Sequence, residues 1–155
     1  MVKIAIDPGG TNAGVAIQYQ DGTVDAMRFS KYTLGEIAEE VRSAVYCMDD
    51  WELCGQAIIE KVHAFKGQGI SSTFKFGKGT GRLIGMLETL HIPFKEVSPK
   101  AWMKELPINL PSGKDSKRAR KNTIKEYSQR LNPKLKVTLE EADALAMLSV
   151  FDKVW

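Results

Sequence analysis

Val2 to Asp7 is an apolar run that closes on a carboxylate, and residues 13–19 form a second apolar run. The short segment from Pro8 to Asn12 between them contains Gly9 and Gly10, so the two runs predict antiparallel strands joined by a turn. Asp21-Gly22 is a hairpin signal and leads into a weaker third strand over 23–29. The period then changes. Leu34, Ile37, Val41, Ala44 and Val45 recur at helical spacing behind Thr33 and Glu36, a capping-box pair, and predict a helix from Thr33 to about Met48. Gln56 to Glu60 is a short buried strand that again ends on an acid. After a Gly-containing loop over 64–70, Ser71 or Ser72 opens a long helix to about Leu90, ended by His91-Ile92-Pro93. Phe94 to Val97 reads as a strand, and Ser98-Pro99 as the cap and first position of a short helix to about Leu106. Beyond the loop from Pro107 to Gly113, a basic helix covers about Asp115 to Leu131, and a last helix starts at Thr138 or Leu139 and reaches the end of the chain. The pattern predicts an α/β fold with a five-stranded mixed sheet, an antiparallel three-strand meander plus two parallel strands, flanked by helices.

The length of 155 residues fits a single domain over 1–155 with a sizeable core. No apolar run approaches the roughly 18–20 residues of a membrane span, so no membrane association is expected. Met1 leads directly into strand pattern, so no signal peptide is expected either. Cys47 and Cys54 lack metal-ligand spacing, and a reducing, cytoplasmic setting is the default. The net charge of +3 hides a split: Lys114 to Lys136 holds nine Lys or Arg against Asp115 and Glu126, which makes that segment +7 and the remainder −4. Such a split suits a polyanion docking on one region with acids gathered elsewhere, although a solvated helix face would give the same count.

Four of the acids are placed to meet. Asp7 and Glu60 each end an apolar strand, and parallel neighbouring strands put such ends side by side on one rim, where open α/β sheets place their ligands. Glu140 and Asp143 are three apart on the last helix and share a face, while Ala142, Leu145 and Ala146 supply small and apolar packing to seat that helix. Gathered carboxylates repel and take up protons unless divalent cations intervene, and hard oxygen donors suit Mg²⁺ or Mn²⁺. Two such ions roughly 4 Å apart activate water and stabilise the leaving oxygen of a phosphodiester. For Glu140 or Asp143 alone, complementarity to the helix N-terminus would suffice as an explanation.

Five segments, in order, resemble the RuvC family of Holliday junction resolvases, within the RNase H-like superfamily. Ile6-Asp7-Pro8-Gly9 followed by Gly14 looks like the family's first-strand motif, and Ile59-Glu60-Lys61-Val62 like its second acidic strand. Residues 72–81, Ser-Thr-Phe-Lys-Phe-Gly-Lys-Gly-Thr-Gly, are similar to its Ser-x-x-x-x-Gly-x-x-x-Gly helix start. Val97-Ser98-Pro99 with Trp102 and Lys104 resembles the following Pro-x-x-x-Lys segment, and Glu140-Glu141-Ala142-Asp143-Ala144 the final acidic helix. The compactness of the chain and the region of Trp102 look more like phage-type members. The resemblance implies an RNase H-like fold and metal ligands at Asp7, Glu60, Glu140 and Asp143. Glu140 departs from the Asp common in bacterial members, and Glu141 beside it is an alternative or outer acid. His63 stands where the cellular enzyme has a stacking aromatic, so His63 or Phe65 is a candidate wedge against DNA. A loop histidine without a role is the plain alternative.

Gly77, Gly81 and Gly85 recur every four residues in the long helix, where each costs about 1 kcal/mol against Ala. Close helix approach is the natural compensation, either onto the sheet of the same subunit or onto a partner helix. The resemblance implies the second, a homodimer with Phe74, Gly77, Gly81, Ile84 and Gly85 at its interface, matched to the two-fold symmetry of a four-way junction. Lys104, Lys114, Lys117 and Lys121 are the candidate phosphate contacts, with Lys117 and Lys121 one helical turn apart and Lys114 or Lys117 placed to assist at the scissile phosphate. The leading expectation is therefore a metal-dependent endonuclease that cuts branched DNA in paired, symmetric nicks. Its rivals are an RNase H-like nuclease of the YqgF type acting on structured RNA, a non-catalytic junction-binding protein, and a sugar-kinase-like ATP binder. The last is suggested by Asp7-Pro8-Gly9-Gly10-Thr11, but it needs a second domain that this length does not hold.

Overall fold

A computed structural model of the chain describes residues 1–9, 12–46, 53–63, 67, 69–113 and 116–155. The strands are β1 (Val2–Asp7), β2 (Gly14–Gln18), β3 (Val24–Arg28), β4 (Gly55–Glu60) and β5 (Phe94–Val97). The helices are α1 (Leu34–Val45), α2 (Ile70–Thr89), α3 (Pro99–Glu105), α4 (Lys117–Leu131), α5 (Leu139–Ser149) and α6 (Phe151–Val154). One sheet runs β3-β2-β1-β4-β5, with β1, β2 and β3 antiparallel and β4 and β5 parallel to β1. This is the expected mixed sheet.

Strand periodicity sorts the core into two layers. Ile4, Ile6, Val15, Ile17, Ala57 and Ile59 point to one face, which Ile37, Val41 and Val45 of α1 and Leu83, Met86 and Leu87 of α2 cover. Ala5, Ala16 and Ile58 point to the other, covered by Trp102, Ile124, Ala142, Leu145, Met147 and Phe151 from α3 to α6. The second face carries small residues, and α5 answers with Ala142, Ala144 and Ala146, so this helix lies close on the centre of the sheet. Gly14 makes the closest approach: a Cβ there would stand 2.1 Å from the Glu140 carbonyl oxygen. The α4 helix is tied to α5 through the fully buried Ser128, whose hydroxyl donates to the Ala142 carbonyl at 2.9 Å.

Several boundaries differ from the sequence expectation. The long helix begins at Ile70 behind Gly69, with no side-chain cap, rather than at Ser71 or Ser72. The first helix ends at Val45, and Met48 and Cys47 lie outside the described residues. The expected final helix breaks at Val150 into α5 and α6. Among the described residues, no helix is long and apolar enough to cross a membrane.

Candidate active site

Register brings the first two acids together. Ile6 pairs with Ile59 across the parallel β1–β4 ladder, so Asp7 and Glu60, each one residue further, end their strands side by side. Both continue the Ala5 and Ile58 side of the pleat, toward α5. Asp143 lies one turn into α5, whose N-terminus rests on β2 at Gly14, itself paired with Asp7.

The three acids lie near enough for Asp143 to act on both Asp7 and Glu60, and Glu60 on Asp7. Burial pushes Asp7 well above the ordinary carboxylate range, Asp143 and then Glu60 push it further, and Lys121 opposes. Glu60 is raised by burial and by Asp143, against the hydrogen bond from the Trp102 indole and the charge of Lys121. Asp143 is raised by burial, against Lys121 and Arg120. Burial thus favours the protonated form of all three and like charge adds to it at Asp7 and Glu60, while the charge of Lys121 opposes at each.

Glu140 stands apart from this set. Its carboxylate accepts from the Ser30 hydroxyl, and Arg28 Nε lies 3.9 Å away. Glu141 serves the fold. It is 5% exposed, closes a capping box by accepting from Thr138 N at 3.0 Å, and pairs with Arg28 Nη1 at 2.6 Å. Arg28 reaches both because it is level with Gly14, which is level with Asp7, in one row across three strands. Among the described residues, no three His, Cys, Asp or Glu side chains already converge on one ligand point. The donor chemistry of Asp7, Glu60 and Asp143 nevertheless fits a hard divalent cation: oxygens only, crowded, and short of positive charge.

The remaining candidates lie on other elements. Lys117 opens α4 and is exposed, and Lys121 lies one turn on. Lys104 is exposed in the last turn of α3, and His63 is exposed beyond β4. Phe65 and Lys114 lie outside the described residues. In α2, a Cβ added at Gly77, Gly81 or Gly85 would meet nothing within 4 Å, so these glycines do not serve packing on their own sheet. Phe74 is 71% exposed and Ile84 is half-buried. Sequence reasoning misses four participants: Trp102 enters only as part of a motif, Arg28 and Ser30 carry no local signal, and Arg120 is one charge among nine.

No family model matches the chain, and no curated protein matches it. Solved structures do. Thermus thermophilus RuvC in complex with a Holliday junction substrate superposes with a TM-score of 0.58 at 16% identity, over 96% of this chain and 90% of that one. A second structure of Thermus thermophilus RuvC gives a TM-score of 0.54 at 18% identity, over 96% of this chain and 91% of that one. At these identities the likeness is one of architecture, and it agrees with the strand order and the flanking helices: the chain has an RNase H-like fold, shared with Thermus thermophilus RuvC.

Proposed function

We propose that this chain is a divalent-metal-dependent endonuclease that resolves four-way DNA junctions by paired, symmetric nicks. The observation that carries the reading is the meeting of Asp7, Glu60 and Asp143 on one face of the sheet, in a fold shared with a RuvC solved on junction DNA. Asp7, Glu60, Asp143 and Glu140 would hold the metal, Mg²⁺ or Mn²⁺, with two ions expected in the full site. The bound ions supply an activated water and charge stabilisation at the leaving oxygen.

The chain's own side chains do the rest. The three carboxylates are protonated more readily than ordinary acids, so metal binding releases protons from them. Lys117 and Lys121 hold adjacent phosphates from one face of α4, and Lys104 extends the contact. Lys121, whose charge already acts on the three acids, and Lys117 stand where charge develops on the reacting phosphate. His63 or Phe65 would stack at the branch point. A second copy seats on the open glycine face of α2, beside the exposed Ile70 and Phe74, and provides the two equivalent sites that paired cutting requires. A cytoplasmic setting accompanies this role.

The test offers labelled four-way DNA junction, linear duplex and folded RNA to the protein in Mg²⁺, Mn²⁺ or EDTA. Cutting of the junction alone, and only with metal, is expected. Cutting of RNA in preference would favour the YqgF-type alternative, and tight junction binding without cutting in any metal would favour a binding protein.

A further inference from the structure

Glu60 has a hydrogen-bond partner from outside its own strand, the Trp102 indole. The chain after it is arranged to deliver one. Val97 is level with Glu60 in the β4–β5 ladder, and the Lys61 amide donates to the Val97 carbonyl at 2.8 Å. Ser98 then caps α3, accepting from the Ala101 amide at 3.3 Å, with Pro99 fixing the first turn. This turn folds Trp102 back over the sheet end. Its ring is 1% exposed, in the cluster that holds Ile58, Val97, Leu106 and Phe151, and its Nε1 donates to Glu60 Oε2 at 2.8 Å.

We infer that Trp102 is the positioning residue of the metal site: its indole N–H fixes one oxygen of Glu60 and leaves the other to face an ion. The inference rests on the metal-dependent reading above. The choice of side chain has a chemical logic. An indole N–H is a single donor, so it occupies one oxygen of the carboxylate and leaves the lone pairs of the other free for an ion. It is neutral, so it orients Glu60 without cancelling the negative charge that attracts a cation. It is held by packing rather than by solvent-exposed contacts, so Glu60 becomes the anchored member onto which Asp7 and Asp143 close. Hydrogen bonds behind metal ligands of this kind are worth roughly 10–100-fold in metal affinity.

The plain alternative is that Glu60 merely satisfies a buried indole, as any acceptor would. The two are separated by calorimetric titration of Mn²⁺ into the wild-type protein, Trp102→Phe, Glu60→Gln and the double variant. A fifth protein carries 3-benzothienylalanine at position 102, which keeps the shape of tryptophan and replaces only the N–H by sulfur. This fifth protein keeps the test valid if Trp102→Phe fails to fold. The expected result is a loss of about 10-fold in Mn²⁺ affinity for Trp102→Phe and for the sulfur isostere, with no further loss from Trp102→Phe in the Glu60→Gln background. Unchanged affinity in the isostere, or an equal loss with and without Glu60, would overturn the inference while leaving the metal site standing. Failure of the wild-type protein to bind Mn²⁺ would overturn the metal reading itself.

Discussion

Gly14→Ala is the most demanding test of how the site is assembled. The added Cβ would stand 2.1 Å from the Glu140 carbonyl oxygen and 3.2 Å from the Glu141 Cα. A carbon–oxygen contact relaxes only at roughly 3.3 Å, so β2 and the first turn of α5 must part by about 1 Å. Neither side yields easily. Gly14 sits in register between Asp7 and Arg28 in the sheet, and the start of α5 is held by the Thr138–Glu141 capping box and the Arg28–Glu141 pair. Overpacking against backbone belongs at the upper end of the usual range, about 3 kcal/mol, which lowers the melting temperature by roughly 6–12 °C in a protein of this size. Urea denaturation of the metal-free protein measures it, with Gly35→Ala as the control, since its nearest neighbour would be an ordinary 3.8 Å away. The shift also carries Asp143 away from Asp7, so Mn²⁺ affinity falls with stability. A change within about 0.5 kcal/mol would refute the close seating of α5 on β2.

Other consequences follow from the same geometry. In metal-free protein the raised Asp7, Glu60 and Asp143 contribute most to stability below the ordinary carboxylate range, and that contribution is lost as pH rises toward their elevated values. Asp7→Asn is therefore expected to raise the melting temperature in EDTA at pH 7 and to change it little near pH 3, and a melting temperature lowered at pH 7 would contradict the unfavourable burial of the Asp7 charge. Lys117→Ala weakens DNA binding across all sequences and reduces the salt slope by about 1; an unchanged slope removes Lys117 from the contacts. A Cβ at position 81 would meet nothing within 4 Å among the described residues, so Gly81→Leu is expected to keep the fold and to shift the protein toward monomer with loss of paired cutting. Light scattering that shows an unaltered dimer would move the interface elsewhere.

Much of this site was legible because its signals are local. Asp7 and Glu60 end apolar strands, and a parallel pairing of those strands is enough to place them together. Asp143 follows from helical spacing and from the run of small residues that seats α5. The partners were not legible, because they depend on register between distant segments. Nothing near Glu140 in sequence announces Ser30 and Arg28, which reach it only through the row Asp7, Gly14, Arg28 across three strands. Likewise Lys117 and Lys121 look alike in a basic helix, and only the docking of α4 on α5 through Ser128 sets which one faces the acids. The glycines of α2 left two readings open, and the empty space above them excludes packing on their own sheet.

The central claim is best tested on a supercoiled plasmid that extrudes a cruciform, incubated with wild-type or Asp7→Asn protein in Mg²⁺, Mn²⁺ or EDTA. Paired nicking at the four-way junction turns the plasmid linear, whereas single nicks leave an open circle. The account predicts linear product with metal only, and none from Asp7→Asn. Cutting by Asp7→Asn at the wild-type rate, or an intact plasmid in both metals, would contradict it.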